Sequence, residues 1–223
     1  MTIQDFDIQV ASAQHADYAP IICDEMAESA KARGTGIAQR SPEYVAEKML
    51  EGKAVIALYK DGTWAGFCYI ETWSHGDFVA NSGLIVAPQY RKVGLAKAIK
   101  HKIFELSRTK YPEAKLFGLT TGLAVMKINS ELGYEPVTYS ELTQDEDFWK
   151  GCKSCVNYDI LTMKERKNCM CTAMLFDPAE KAKDAEKIKD HDDDKLRKIT
   201  HKATLFERIE NAIKSFGQDL KVF

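Results

Sequence analysis

The sequence predicts an α+β (mixed α/β) protein with a twisted, mostly antiparallel central sheet, flanking helices and a helical extension at the C-terminus. Three observations lead to this prediction: short β-rich runs follow one another with turn signals between them, helical patterns precede and follow these runs, and one apolar strand passes through a basic loop directly into a long helix. The chain has 223 residues, 45% of them hydrophobic, which is enough for one core and an appendage.

The first half of the chain supplies two helices and most of the sheet. Residues 16–32 are predicted to form the first helix, and the second begins after Ser41, an N-cap residue followed by Pro42 at the first helical position. Asp61-Gly62 is a hairpin signal between two β-rich runs. The predicted strands of this half are residues 8–11, 54–59, 64–72 and 78–86.

The second half adds a strand and two helices, and its amino-acid composition becomes strongly charged after residue 176. Residues 116–121 are predicted to be a strand, and a helix over 124–132 ends at Gly133, a position suited to left-handed φ. We therefore expect one domain over residues 1–176 and an extension over 177–223. The extension starts as a charged linker without an apolar face and ends in an amphipathic helix, residues 196–216, which packs on its own domain or on a second subunit in a homodimer.

The most informative stretch is the strand, loop and helix between residues 84 and 99. Pro88 stops the strand, and a helical period sets in from Lys92. The first N–H groups of a helix have no partner within it and lie at the positive end of its dipole, so they bind phosphate oxygens. Gly94 and the small Ala96 allow the backbone to approach such a group closely, and basic side chains add charge. The alternative is an ordinary strand-to-helix turn with exposed basic residues.

This stretch resembles the signature of the GNAT superfamily of acyl-CoA-dependent N-acyltransferases, in Val86-Ala87-Pro88 and in Arg91-Lys92-Val93-Gly94-Leu95-Ala96. The resemblance covers roughly residues 1–176. It implies a GNAT fold and acetyl-CoA or another acyl-CoA as cosubstrate, with the pyrophosphate on the loop and a strand N–H donating to the thioester oxygen. The residues that it assigns to the cofactor are Ile85, Val86, Arg91, Lys92, Val93, Gly94, Leu95, Ala96 and Lys97.

Two further stretches resemble the acyltransferase domain of N-acetylglutamate synthases. Gly36 to Ser41 is similar to their Gly-x-x-x-Arg-Ser, and Lys115 to Thr121 to their Lys-Leu-Phe-x-Leu-Thr-Thr, whereas Gly122 stands where these enzymes usually have Arg. The resemblance implies transfer of an acetyl or succinyl group to the amine of a small amino acid, by direct attack in a ternary complex. Glutamate is the favoured acceptor, and arginine biosynthesis is the implied pathway.

Candidate site residues follow from what this reaction requires. A bidentate guanidinium suits a substrate carboxylate, so Arg40 is the first candidate for substrate binding, followed by Arg33 and Lys127. Glu71 and His75, on or just after the third strand, are candidates for the general base. Asn129 replaces the Tyr with which many family members protonate the leaving thiolate, so Ser130 or water would take that role.

Two other functions remain open from the sequence. A protein or peptide N-acetyltransferase would have the same fold, with the Cys-rich segment as its recognition surface. A non-catalytic acyl-CoA or amino-acid sensor would keep the cofactor loop and lose turnover, and Asn129 is the feature that favours it.

The six cysteines are unevenly distributed. Cys152, Cys155, Cys169 and Cys171 fall within a short window, in a segment, residues 148–172, that we interpret as a hairpin with its basic tip at 164–168. Four thiols in a reducing compartment indicate a structural zinc site before a redox pair or four unrelated thiols. The Cys-x-Cys half is the less common spacing, and strand alternation would turn its two thiols to opposite faces unless a bulge or turn intervenes.

Charge and hydropathy exclude several classes of partner. The formal net charge of −2 gives no reason to expect nucleic acid or an anionic membrane. No run of about 18 apolar residues and no basic, apolar leader are present, so we expect a cytoplasmic protein whose partner is a small-molecule amine.

Overall fold

The computed structural model describes residues 1–34, 40–184 and 186–187. The chain divides into two units, Met1–Pro178 and Ala179–Phe223. In the second unit, residues 179–184 and 186–187 are helical. The predicted amphipathic helix over 196–216 and most of the stretch from Gly36 to Ser41 lie outside the described residues. In the described part of the chain, no helix is long and apolar enough to cross a membrane.

The first unit contains one mixed sheet. Its strands are β1 (Phe6–Val10), β2 (Ala54–Tyr59), β3 (Trp64–Trp73), β4 (Phe78–Val86), β5 (Lys115–Thr120), β6 (Glu135–Val137) and β7 (Thr172–Phe176). They form a seven-stranded sheet in the order β1-β2-β3-β4-β5-β7-β6. Among the strands that the structure describes, only β4 and β5 pair in parallel, and every other neighbouring pair is antiparallel. The predicted fold class is therefore confirmed. No range was predicted for two of the seven strands, β6, which has three residues and includes a proline, and β7.

Helices cover this sheet. They are α1 (Ala19–Arg33), α2 (Pro42–Leu50), α3 (Leu95–Lys110), α4 (Leu123–Glu131), α5 (Glu146–Lys150) and α6 (Tyr158–Met163). The Ser41 side chain accepts a hydrogen bond from the Tyr44 N–H at 3.2 Å, as expected of an N-cap. Gly133, after α4, has φ of 88°, so the predicted left-handed position is confirmed.

Two irregularities of β4 shape the middle of the sheet. Phe67 pairs with Ile85 but Tyr69 pairs with Ser82, so β4 carries a bulge at residues 83–84. On its other edge, β4 pairs with β5 only from Phe78 to Ala80. Beyond that point the two strands separate, and a gap opens towards the carboxyl ends of both.

Two apolar clusters support the sheet. The larger one joins α1, α2 and α3 to strands β1 to β4, and its fully buried members include Ile22, Met49, Ile56 and Ile99. The smaller one lies under the chain that connects β6 to β7, around Phe117, Tyr139, Trp149 and Leu161. The part of the molecule that carries the Cys-rich segment therefore has a core of its own.

The segment between β6 and β7 corrects one prediction. Residues 148–172 were expected to form a hairpin, but they contain the end of α5, a 3-10 helix (Gly151–Ser154) and α6 instead. Asp145 caps α5 by accepting from the Asp147 N–H at 2.9 Å. Trp149 and Leu161 are buried on these short helices and belong to the same apolar cluster. The basic tip is a turn after α6, with positive φ at Glu165 and Arg166.

Candidate active site

The loop between β4 and α3 has the backbone of an anion site. Lys92 and Gly94 have φ of 67° and 87°, and α3 therefore begins at Leu95, three residues later than the helical period predicts. Within the described part of the chain, the N–H groups of residues 92–97 have no hydrogen-bond acceptor. They lie at the positive end of α3, whose buried Leu95 and Ile99 anchor it to the core.

The basic side chains of this loop have other partners. The Arg91 guanidinium donates to the Val86 carbonyl at 2.9 Å and, on α1, to Glu25 at 2.9 Å and Ser29 at 2.8 Å. Lys97 pairs with Glu131 of α4 at 2.7 Å. Arg91 thus ties the loop to α1, and the backbone amides are what the loop presents to an anion. Lys92 is exposed on the loop itself.

Buried polar groups surround the point where β4 and β5 separate. Asn81, the first β4 residue beyond the ladder, donates to Ser107 of α3 at 2.8 Å. Its carbonyl oxygen accepts from Lys100 at 3.1 Å and from Tyr134 at 3.2 Å. Lys100 is 2% exposed, and burial lowers its pKa to about 8. This network fixes α3 against the strand at the narrow end of the gap.

Asn129 of α4 packs against β5 and β7. It is 1% exposed, and its amide nitrogen lies 3.7 Å from the Met174 sulfur and 3.8 Å from where a Cβ on Gly118 would stand. Its amide oxygen has no hydrogen-bond partner among the described residues. Ser130 is exposed, because successive residues of a helix point about 100° apart. Of these two candidates, Asn129 is buried against β5 and β7, whereas Ser130 is exposed.

A buried charge cluster lies beside the β4 bulge. Glu71 of β3 is 5% exposed, accepts a hydrogen bond from the Tyr44 hydroxyl, and lies 3.5 Å from the Arg40 guanidinium and 3.4 Å from the Lys48 ammonium. Arg40 also donates to the Tyr69 hydroxyl at 2.9 Å. The cluster (Arg40, Tyr44, Lys48, Tyr69 and Glu71) contains two cations and one carboxylate, so it carries one net positive charge.

Tyr69 connects this cluster to the bulge. Gly83 has φ of 66°, and a Cβ there would lie 2.5 Å from the Tyr69 ring. Burial raises the pKa of Tyr69 and of Tyr44 far above the usual range, and the hydrogen bond to Glu71 raises that of Tyr44 further. Both hydroxyl groups therefore stay protonated beside the bulge.

The other candidates lie elsewhere. His75 is exposed in the turn before β4, at the opposite end of this strand from the loop, so that roughly 26 Å of strand separates them. Lys127 is exposed on α4, which packs on β5 and β7, and is thus separated from Arg40 by β4. Arg33 ends α1, and its side chain lies outside the described residues. The fold brings together Arg40 and Glu71 alone among the candidates for substrate binding and general base that it describes.

The sequence contained signals for three residues of this cluster that were not predicted, namely Tyr44, Lys48 and Tyr69. Tyr44 and Lys48 are four residues apart, which places them on one face of α2. Tyr69 and Glu71 are two apart on β3, which places them on one face of the sheet. Neither spacing reveals that the two faces meet.

The four clustered cysteines border one small cavity, beside Leu119 and Tyr139. Among the described residues, no group of three or more His, Cys, Asp or Glu side chains could hold a metal ion, so the predicted zinc site at Cys152, Cys155, Cys169 and Cys171 is not supported. A larger groove of about 820 Å³ shares Tyr139, Trp149, Tyr158 and Leu161 with this cavity and includes none of the candidate catalytic side chains.

Comparison with known proteins supports the fold. The sequence matches no family model and no curated protein. Among solved structures, the chain is similar to an N-acetylglutamate synthase from Neisseria gonorrhoeae complexed with coenzyme A and N-acetyl-glutamate, at 19% identity and a TM-score of 0.55. The match covers 77% of this chain and 35% of the synthase, so the chain spans about a third of that enzyme's length.

Two other similar structures are matched over most of their length. Rv2747 from Mycobacterium tuberculosis, in a complex that contains CoA, is 17% identical with a TM-score of 0.55, over 77% of this chain and 98% of that one. A GNAT superfamily phosphinothricin acetyltransferase from Sinorhizobium meliloti, in complex with AcCoA, is 13% identical with a TM-score of 0.51, over 78% and 88%. The chain therefore has the GNAT fold, as the resemblance implied.

Proposed function

We propose that this chain, which has the GNAT fold, is an acyl-CoA-dependent N-acyltransferase that acts on a small acidic amino acid, with glutamate favoured. The observation that carries the proposal is the order of three features along β4. The gap to β5 opens at Asn81, the bulge beside the charge cluster follows at 83–84, and the amide-lined loop follows the strand. One extended cosubstrate lying in the gap meets all three.

The loop amides suit the pyrophosphate of an acyl-CoA, and the open edge of β4 suits the chain that carries the thioester. Ala87 donates its N–H to Ala65 of β3 at 3.0 Å. Because N–H groups alternate sides along a strand, the Val86 N–H faces the gap and the Ile85 N–H faces β3. Val86 is thus the better of the two predicted donors, and Leu84 in the bulge is two residues further along the same edge. A donor aimed at the thioester oxygen stabilises the oxyanion of the transition state.

The charge cluster suits the acceptor. Glutamate carries two carboxylates and one ammonium group, so its net charge of −1 complements the cluster's +1. In our proposal, Arg40 and Lys48 attract the carboxylates, and the guanidinium supplies the bidentate geometry. Glu71 attracts the ammonium group and accepts the proton that the amine must lose before it attacks. The thiolate leaves without a dedicated acid, which its ordinary pKa of about 8.5 permits near neutral pH.

Release of free thiol from acetyl-CoA and succinyl-CoA tests the proposal. The acceptors to compare are glutamate, aspartate, glutamine, ornithine and a peptide amine. We expect turnover with glutamate, and a KM for glutamate raised at least about tenfold by Arg40→Ala with little change in the KM for acyl-CoA, since one charged hydrogen bond contributes roughly 1.5–3 kcal/mol. Arg40→Lys keeps the charge but loses the fork, and should show much of the same increase.

Arg166→Ala is the matched control, because Arg166 also pairs with a glutamate, Glu146 at 2.6 Å, but far from the cluster in sequence and on the surface. Its kinetics should equal those of the wild type. A wild-type KM for every amine in the Arg40→Ala enzyme contradicts the role of Arg40. Activity confined to the peptide contradicts an amino-acid acceptor, and tight binding of acetyl-CoA without turnover on any amine favours a sensor over an enzyme.

A further inference from the structure

The ammonium group of Lys100 is buried between the two sides of the gap. Its nitrogen donates to the side-chain carbonyl of Asn81 on β4 at 3.1 Å and lies 5.2 Å from the centre of the Tyr134 ring. That ring lies 6.0 Å, between centres, from the ring of Phe176 on β7, which is the neighbour of β5. Lys100 thus contacts β4 directly and, through Tyr134, the strands on the other side of the gap.

The hydrogen-bond network around Lys100 has more donors than acceptors. The Asn81 carbonyl oxygen accepts from both Lys100 and Tyr134. The Asn81 amide donates to Ser107 at 2.8 Å, and the Ser107 hydroxyl donates to the Ile103 carbonyl at 2.7 Å. An ammonium group has three N–H donors, and among the residues that the structure describes, Asn81 is the one acceptor for them. The network therefore suits a ligand group that accepts hydrogen bonds.

The charge of Lys100 has no protein counter-ion within the described part of the chain. The pKa of this side chain is about 8, so the ammonium form prevails at pH 7. The titratable groups beside it are Cys68 and Tyr134. Burial raises the pKa of Cys68 to about 11 and that of Tyr134 far above its usual range, so both are neutral at pH 7. Because an unpaired buried charge is costly, a ligand that brings a carboxylate would be bound favourably here.

Lys100 and the charge cluster lie on opposite faces of the sheet. A Cβ on Gly66 of β3 would lie 2.6 Å from the Ile99 side chain, so α3 covers the face to which residue 66 points. Tyr69 is three residues further along β3 and therefore points to the other face, as does Glu71. Lys100 is thus not part of the proposed site for the acceptor amine.

The end of the acyl group would point towards Lys100. In the proposed function, on which this inference rests, the pyrophosphate lies on the loop amides and the thioester beside the bulge at residues 83–84. An acyl group that continues in the same direction extends from the bulge to the narrow end of the gap. Asn81 and Lys100 lie at that end.

The distance along β4 indicates the length of the acyl group. Leu84, in the bulge, and Asn81 are three residues apart, which corresponds to about 10 Å of strand. The carboxylate of a succinyl group reaches about 4 Å beyond the thioester carbon, and a charged hydrogen bond adds about 2.8 Å. The methyl group of an acetyl chain reaches about 1.5 Å and accepts no hydrogen bond. A four-carbon acyl chain that ends in a carboxylate therefore covers most of this distance.

We infer that the acyl group ends in a carboxylate, as in succinyl-CoA, and that Lys100 selects it. The carboxylate accepts hydrogen bonds from the ammonium group and neutralises its charge. The transfer itself is unchanged. The amine nitrogen forms a bond to the acyl carbon, the C–S bond breaks, coenzyme A leaves as the thiolate, and the proton of the amine passes to Glu71.

Calorimetry with succinyl-CoA and butyryl-CoA, in the absence of any amine, tests this inference. Both have four acyl carbons, so the comparison isolates the carboxylate. We expect the wild type to bind succinyl-CoA at least about tenfold more tightly, because a hydrogen bond between charged groups contributes that factor or more. Lys100→Met replaces the ammonium group with an apolar end, so the variant should fold and lose the preference. Lys102→Met removes an exposed lysine of the same helix and should keep the preference.

Asn81→Asp tests the same inference with Lys100 in place. The aspartate gives the ammonium group a fixed counter-ion, so this variant should also lose its preference for succinyl-CoA. Equal affinities of the wild type for the two thioesters, or a preference that persists in Lys100→Met, overturn the inference.

Thiol release on addition of glutamate tests the proposed function separately. Turnover by a wild type that binds both thioesters equally contradicts the role of Lys100 and leaves acyl transfer intact. A preference for succinyl-CoA that depends on Lys100, without turnover on any amine, supports the inference and contradicts acyl transfer.

Discussion

Gly94→Ala should separate the role of the loop backbone in binding from its role in stability. Gly94 has φ of 87°, and a Cβ there would meet nothing within 4 Å, so the substitution introduces strain without a clash. A residue with a side chain in this left-handed region costs about 1–2 kcal/mol. We therefore expect the free energy of unfolding to fall by about that amount, and the protein to remain folded.

The loss of affinity for coenzyme A should be larger than the loss of stability alone would suggest. The strain is relieved by rotating the peptide units on either side of residue 94, and these units carry N–H groups that would face the pyrophosphate. A hydrogen bond to a charged group contributes about 1.5–3 kcal/mol, so misaligning one of them should weaken binding by about 10- to 150-fold. Isothermal titration calorimetry with coenzyme A measures this directly.

Gly62 supplies a matched control within the same chain. It has φ of 85°, its Cβ position is equally open, and it lies in the turn between β2 and β3. Gly62→Ala should lose the same stability in urea denaturation and bind coenzyme A like the wild type. Equal affinities in the two variants would show that the loop amides do not hold the cosubstrate, and the reasoning would fail.

Three further perturbations test the surroundings of the gap. Burial lowers the pKa of Lys100 from 10.5 to about 8, so the stability of the wild type should rise between these pH values, where the unfolded chain holds the proton and the native state does not. Lys100→Met should be more stable than the wild type by roughly 1–3 kcal/mol at pH 7 and should lose that advantage by pH 10.5. A stability difference that does not change with pH in urea denaturation contradicts this. Gly83→Ala places a Cβ 2.5 Å from the Tyr69 ring and should lower the free energy of unfolding by about 1–3 kcal/mol. It should also lower kcat, and an unchanged kcat would show that the bulge does not contribute to the reaction. His75→Ala should leave kcat and its pH profile unchanged, since His75 is exposed at the far end of β4, and a loss of the profile's acidic limb would restore it as general base.

Local patterns predicted the features that depend on neighbouring residues. The loop at 91–97, the N-cap at Ser41 and the turn at Gly133 each follow from a few adjacent residues, so their sequence signals are sufficient. The bulge in β4 has no such signal. It depends on how β4 is paired with β3, and Gly83 becomes meaningful only once the Tyr69 ring lies against it.

Tertiary pairing accounts for what the sequence missed. Arg40 and Glu71 were separate candidates, one for substrate and one for base, but they lie 3.5 Å apart because the chain before α2 packs against β3. The chain between β6 and β7 was misassigned because its helices are too short to establish a helical period. The basic residues 164–168, which were interpreted as the tip of a hairpin, form a turn after α6.

The separation of β4 from β5 makes the sheet two leaves joined by three residue pairs, from Phe78–Lys115 to Ala80–Phe117. Backbone groups on both facing edges are left without a ladder partner beyond that junction, so the leaf of β5, β7 and β6 can exchange its amide hydrogens in local openings that spare β1 to β4. A cosubstrate lying between the leaves would bond to both edges as an additional strand does. Binding of the cosubstrate should then make the two leaves unfold as one cooperative unit. In amide hydrogen exchange, the amides of β5 and β7 should become protected, including those far from any atom that the ligand touches.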